Sequence, residues 1–306
     1  MGLTAAQLEI RRTGITSTDV AKIVGVHPWG SRHTVYLDKL GLSQPTAETL
    51  PQRIGNTVER LIVELYESET GNVARSAGTQ CHPTEDWMLG TPDRLLTGDV
   101  GLLEIKWVGW RLAHRFAERA DDSRACAMCG KLAGSHWGHD TDAVPDYVRV
   151  QCEWLMMVTG TTACHVAALL GGEDFRIYHI ERSDVLGERL VEVCGEFWRG
   201  NVLAREAPSL DGSAHAAAMS AMLHTEERQP LKAAPPEARR WVHRLERAKR
   251  VEQAIERDRR LAESHLRAII GDSAGIVGDF GKVTCKRRKG ANIRTLRLWP
   301  RRKENG

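Results

Sequence analysis

The sequence predicts an α/β (α+β) chain on three observations. Residues 54–66 place Val58, Leu61, Ile62 and Leu65 at the i, i+3, i+4, i+7 spacing of a helix with one apolar face. Residues 87–107 alternate and turn like a β-hairpin. Beyond them, helical and strand patterns take turns: a helix over 147–158, strands over 164–170 and 175–180, and a helix over 184–205.

The remaining elements follow in order. Residues 1 to about 40 read as helices broken at His27-Pro28-Trp29-Gly30. Thr16, Ser17 and Thr18 precede the apolar positions Val20, Ile23 and Val24, a helix start with hydroxyl capping. Pro45 to Pro51 is a loop, and 113–146 is irregular. Residues 207–236, rich in Ala, Ser and Pro, read as a linker or extended wrap. Residues 237–270 form one long charged helix, with Trp241, Leu245, Ala248, Val251, Ile255, Ala262, Leu266 and Ile269 near a 3–4 spacing. Its heptads are imperfect, which favours packing on its own domain over a short coiled coil. Residues 280–299 alternate as a basic hairpin turning near Lys289-Gly290-Ala291-Asn292. The expected organisation is a core over 1–205 with an insertion at 113–146, a linker over 206–236 and a helical, basic extension over 237–306.

Composition narrows the class. A chain of 306 residues buries roughly three quarters of its surface and needs no covalent staples to fold. No stretch approaches the roughly 20 apolar residues of a membrane helix, and the first residues lack a basic start and an apolar signal core. Seven scattered cysteines do not form a disulfide framework. The expectation is a cytoplasmic protein with no membrane partner. The net charge of +3 identifies nothing, but from Gly281 to Lys303 there is no acidic residue among many Lys and Arg. That asymmetry points to an anionic partner, nucleic acid first.

The chemistry sits in the hairpin. Alternation puts Glu104 and Lys106 on one face of their strand, and Leu103, Ile105 and Trp107 on the other, the expected core face. Gly98-Asp99 suits a two-residue turn with Gly in the first central place. With that turn Thr97 pairs with Val100, and counting back places Asp93 directly across from Glu104. Two carboxylates that close repel each other unless they grip a divalent cation. With a lysine beside them they suit phosphodiester hydrolysis, in which the metal polarises the phosphate and lowers the pKa of a water. The alternative is a surface hairpin whose polar side chains face solvent. The apolar setting Leu102-Leu103-Glu104-Ile105-Lys106-Trp107 favours the first, because charges in an apolar strand are costly unless used.

These residues resemble the PD-(D/E)XK nuclease superfamily and, within it, the phage lambda exonuclease and YqaJ-like viral recombinase family. Five ordered segments carry the resemblance over about residues 11–200. Gly14 to Val20, ending at Gly25, looks like the opening motif, and Val35 to Gly41 like the next. Gly55 to Glu59 is similar to the helix-glutamate motif. Thr91-Pro92-Asp93 with Glu104-Ile105-Lys106 look like the metal motifs, and Tyr147 to Gln151, running to Gly160, like the glutamine helix.

The resemblance implies a restriction-endonuclease-like core, a mixed central sheet flanked by helices. It implies that Asp93, Glu104 and the Ile105 carbonyl bind Mg²⁺, with Mn²⁺ accepted by the same hard oxygens, and that Glu59 joins them directly or through water. Lys106 would position the attacking water, and Gln151 would contact that water or Lys106. Taken alone, Glu59 also reads as a solvated helix residue, and Gln151 as an ordinary core amide. Arg11 or Arg12, with Ser17 and Thr18, matches the family's 5′-phosphate pocket; Arg11 fits better, seven residues before Thr18. Thr91 stands where a small hydroxyl residue touches phosphate. Two positions depart from the pattern: Arg94 replaces a glycine, and Arg149 stands where a second glutamine is common. The implied activity is Mg²⁺-dependent 5′→3′ degradation of linear double-stranded DNA, leaving 3′ single strands for phage-type recombination. The implied partners are double-stranded DNA and a single-strand annealing recombinase, and the implied assembly is a ring trimer in a bacterial host.

Cys126 and Cys129, followed by His136 and His139, give a second candidate site, for structural Zn²⁺. The equal alternative is a loop with free thiols. Against the exonuclease stand another nuclease of the same superfamily, endonucleolytic or single-strand specific, and a DNA-binding adaptor with a decayed site. The intact Asp93, Glu104 and Lys106 argue against decay.

Overall fold

The computed structural model describes residues 5–43, 47–97, 101–109, 137–138, 141–223, 233–287 and 293–300. The chain divides into two compact units, Met1–Glu226 and Glu227–Gly306.

In the first unit, helices α1 (Ala5–Arg12), α2 (Ser17–Ile23), α3 (Arg32–Lys39) and α4 (Leu50–Thr70) precede the sheet. Strands β1 (Ala74–Ser76), β2 (Gln80–Cys81), β3 (Leu89–Gly90), β4 (Arg94–Leu96) and β5 (Leu102–Val108) follow. Then come α5 (Asp146–Thr159), β6 (Ala163–Leu170), β7 (Asp174–Glu181) and α6 (Asp184–Phe197). A π-helical stretch over Trp198–Leu203 and helix α7 (Ala214–Leu223) complete the unit. The main sheet has the order β1-β4-β5-β6-β7. Its β5–β6 pair is parallel, and the other pairs are antiparallel. A parallel neighbour requires a crossover connection, and α5 lies within it.

The sheet is covered on both faces. Ile62 and Tyr66 of α4 pack with Leu96, Leu103, Ala167 and Leu169 on one side. Val148, Cys152 and Leu155 of α5 pack with Leu102, Val108, Cys164 and Val166 on the other. A third cluster joins α2, α3, α5 and α6 through Val20, Val35, Trp154, Leu190 and Phe197. It is closed by the segment before β3, where Ile15 bridges Met88. Gly14 permits that approach, since a Cβ there would meet the Trp87 carbonyl oxygen at 2.3 Å. The mixed central sheet flanked by helices is the architecture the sequence resemblance implied.

Glu104 is 2% exposed, because α5 covers the side of β5 on which it stands, so the hairpin is not the solvent-facing alternative. Two readings are corrected. The helix expected over 184–205 changes to π-helical winding after Phe197. Within the expected linker, Ala214–Leu223 is a helix with Ala216 and Met219 buried. Composition alone read that segment as a linker or extended wrap. Alanine is the strongest helix former, and the Ser213 hydroxyl accepts a hydrogen bond from the Ala216 N–H at the helix start.

A half-buried histidine on β6 gives the fold a pH dependence. The His165 ring lies 5.8 Å from Tyr66, whose hydroxyl is 2.6 Å from Nδ1, and 4.3 Å from the ring of His179. Burial and the nearby His179 push its pKa down to about 4. Between about pH 6.5 and 4 the unfolded chain therefore takes a proton that the folded chain refuses, and stability drops as pH is lowered through that window. The His165→Gln variant flattens that part of a melting-temperature profile.

In the second unit, helix α8 (Ala238–Ile270) leads into a three-stranded antiparallel sheet of β8 (Gly275–Gly278), β9 (Gly281–Arg287) and β10 (Arg294–Pro300). Leu266 and Ile270 at the end of α8 pack on Ile276, Val283, Cys285 and Leu296. The end of the long helix packs within its own unit, while Trp241, Leu245, Val251 and Ile255 along it are exposed, and the basic hairpin gains a third strand.

Candidate active site

The observed pairs Arg94↔Leu103 and Leu95↔Leu102 have the register counted from the sequence. The turn residues Gly98 and Asp99 lie outside the described residues. Asp93 stands just before β4, and its Oδ2 accepts the Ile105 N–H at 2.7 Å. This bond exists because β4 has ended, leaving that side of β5 without a ladder partner. The N–H and C=O of one strand residue point the same way, so the Ile105 carbonyl lies on the same open side.

Glu104 and Lys106 meet Gln151 of α5. The Lys106 ammonium donates to Glu104 Oε1 at 2.5 Å and to Gln151 Oε1 at 3.1 Å, and Gln151 Nε2 donates to Glu104 Oε1 at 2.6 Å. This closed triangle fixes the amide orientation, because the flipped amide would face the ammonium with its NH₂ group. The apolar rows of β5 and α5 bring these side chains together: Glu104 and Lys106 follow Leu102 on the α5 face, and Gln151 precedes the buried Cys152.

The electrostatics are those of crowded carboxylates. Burial and the Glu104 carboxylate push the Asp93 carboxyl well above the usual carboxylate range, against Lys106 and the Ile105 N–H. Burial works against the Lys106 ammonium, yet Glu104 and Asp93 hold its pKa above the ordinary lysine value. Glu104 Oε2 is buried and has no hydrogen-bond partner among the described residues. An orphaned, buried carboxylate oxygen beside a second carboxylate that resists ionisation fits a divalent cation, which takes hard oxygen ligands and relieves both. Asp93, Glu104 and the Ile105 carbonyl are the groups that would hold it.

Glu59 takes another partner. Its carboxylate is 2.8 Å from the Arg94 guanidinium, which also donates to the Asp93 carbonyl oxygen at 2.6 Å. The arginine that departs from the family pattern thus holds the helix glutamate at the edge of the cluster. Among the described residues, no three His, Cys, Asp or Glu side chains converge as a cation cage.

The phosphate-pocket candidates divide. Arg11 donates to Thr18 Oγ1 at 2.7 Å and to Thr16 Oγ1 at 3.2 Å. Ser17 is buried and Arg12 exposed. Thr91 Oγ1 lies 3.1 Å from Thr79 Oγ1, away from this group of hydroxyls in the hydrogen-bond pattern. Cys126, Cys129, His136 and His139 lie outside the described residues.

Sequence reasoning missed Asp19 and Lys39. Asp19 is 3% exposed and accepts from Thr16 at 2.7 Å and from Lys39 at 2.6 Å, while Lys39 also donates to the Arg11 carbonyl oxygen at 2.6 Å. Burial raises the Asp19 carboxyl, and Lys39 and Lys22 more than offset it, holding it well below the usual range. The signal was present: an acid in the first motif and a lysine in the second.

The donor set, two carboxylates, a lysine and an amide gathered around the central strand β5, suits metal-assisted chemistry on an anionic ester. A model of the YqaJ-like viral recombinase domain matches residues 7–162, about half of the chain, and the protein belongs to that family. It is 28% identical over 211 residues to the uncharacterized protein YqaJ of Bacillus subtilis strain 168, covering 67% of this chain and 59% of that one. The match therefore spans less than two thirds of that relative's length. Among solved structures, an alkaline exonuclease (LHK-Exo) from Laribacter hongkongensis is 21% identical, over 66% of this chain and 94% of that one, with a TM-score of 0.49. A phage related exonuclease from Haemophilus somnus 129PT is 10% identical, over 63% and 96%, with a TM-score of 0.45.

Proposed function

We propose that the protein is a Mg²⁺-dependent exonuclease that degrades linear double-stranded DNA from 5′ ends and leaves 3′ single strands. The observation that carries this reading is the Asp93, Glu104, Lys106 and Gln151 cluster with its orphaned Glu104 oxygen. Membership of a viral recombinase family supports DNA as the substrate, and phage-type recombination with a single-strand annealing partner as the use of the product.

The chain's own residues divide the work. Asp93 and Glu104 present hard oxygens for the cation, and Gln151 locks Glu104 and Lys106 in one arrangement. When bound, Mg²⁺ supplies polarisation of the phosphate and a lowered pKa for water. Lys106 has three donors, of which Glu104 and Gln151 take two. The third orients the attacking water or meets the charge developing on the phosphate oxygens. Arg11, held by Thr18 and Thr16, keeps further guanidinium donors for a terminal 5′-phosphate.

Polarity and end recognition are tested together on linear duplexes labelled at one terminus, with 5′-phosphate or 5′-hydroxyl ends. Early release of 5′-terminal nucleotides, faster from phosphorylated ends, is expected. The Arg11→Ala variant should lose on the order of tenfold of that preference while still digesting hydroxyl ends. Linearisation of closed circular DNA would instead establish an endonuclease.

A further inference from the structure

We propose that the open face of the C-terminal sheet is a second nucleic-acid site, a platform for a single strand. One face of this sheet is packed on α8 through Val283, Cys285 and Leu296. Strand alternation puts Lys282, Thr284 and Lys286 of β9 on the other face. The register sets Trp299, Arg297 and Thr295 of β10 beside them in that order. Each cross-strand row therefore offers one cation: Lys282 beside Trp299, Arg297 beside Thr284, and Lys286 beside Thr295. These side chains line one shallow groove. On the far side of Lys282, Val277 of β8 extends the row and is 81% exposed.

The cations are not committed to the fold. Lys282, Lys286 and Arg297 have no acidic partner among the described residues, and residues 281–303 contain no Asp or Glu. Arg294, on the same strand as Arg297, shows what a committed arginine looks like. Its guanidinium donates to the carbonyl oxygens of Cys285, Gly271 and Ser273. Arg267 in turn donates to its carbonyl at 2.8 Å. Arg294 builds the unit, and the three cations of the open face are left to meet an anion.

The ring decides the kind of anion. Trp299 is 54% exposed, held at its edge by a 3.4 Å bond from Nε1 to Thr284 Oγ1. An aromatic ring on a flat basic sheet face gains from stacking a base, and successive bases of a single strand have free faces where those of a duplex are hidden. An acidic peptide would meet the cations and leave the Trp299 ring without a stacking partner. The site lies wholly within 275–300, and its occupancy needs neither metal nor cleavage. It therefore stands or falls independently of the nuclease reading. If both hold, the strand left by digestion is the ligand.

The test uses the full chain in EDTA, with a labelled oligothymidylate titrated by fluorescence anisotropy at several salt concentrations. A matching duplex and a polyglutamate peptide serve as competitors. The Lys282→Ala/Lys286→Ala/Arg297→Ala protein should lose at least about tenfold in affinity, and its salt slope should fall by about 2, near 0.7 per lost phosphate contact. Trp299→Ala should cost about fivefold or more for the single strand and leave duplex binding unchanged, and Trp299→Phe should restore most of it. Equal melting temperatures keep these losses from being misread as unfolding. Single-strand affinity unchanged in both variants would overturn the proposal. So would equal losses on duplex with Trp299→Ala silent, which would define a duplex phosphate surface, or competition by polyglutamate alone, which would define a protein-docking face.

Discussion

Replacing Glu104 with Gln should lower the rate of DNA hydrolysis on the order of 10³-fold or more, with the fold retained. Oε1 takes the Lys106 ammonium and the Gln151 amide, and Oε2 is buried without a partner among the described residues. A glutamine keeps the volume but places neutral atoms where two donors meet negative charge. The proposed cation site would lose one of its two carboxylates, and its stabilisation of the transition state would weaken with it. Calorimetric titration with Mn²⁺ should show the same variant binding the metal at least about tenfold more weakly. An unchanged rate or unchanged metal affinity would remove Glu104 from the site.

The largest stability effect should come from Lys39→Met. Lys39 and Asp19 meet at 2.6 Å with side chains 0% and 4% exposed. Removing one partner of a buried pair strands the other charge and costs about 3–5 kcal/mol. The sign of the pH dependence follows from the depressed Asp19 carboxyl. In the wild type its contribution is complete above about pH 4 and is lost as pH falls through the folded-state value. The penalty of Lys39→Met, measured by denaturant unfolding, should therefore be largest near pH 7 and shrink below about pH 4. Because the same lysine ties the Arg11 carbonyl, the variant should also loosen the proposed phosphate pocket.

Much of this site was legible because it is local. The hairpin register follows from one turn and period-2 counting, and the β4–β5 pairs have it. Gln151 reads alone as a core amide, and it is 8% exposed. What escaped depends on contacts between distant segments. The sequence sets Glu104 and Lys106 on one face of an apolar strand, but nothing local says that α5 will cover that face. The Glu59–Arg94 pair joins a helix to a strand, and the Asp19–Lys39 pair joins two helices. Helix α7 was misread for a different reason: alanines counted as linker composition also carry the strongest helix propensity.

The proposed metal-dependent nuclease centre of Asp93, Glu104 and Lys106 is tested by digestion of linear duplex DNA in Mg²⁺ by wild type and by Lys106→Ala, each repeated in EDTA. Digestion by wild type in Mg²⁺ is expected, with none in EDTA and none by Lys106→Ala despite retained DNA binding. Digestion by the variant at the wild-type rate, or wild-type protein that binds the duplex in Mg²⁺ and Mn²⁺ without cleaving it, would contradict it.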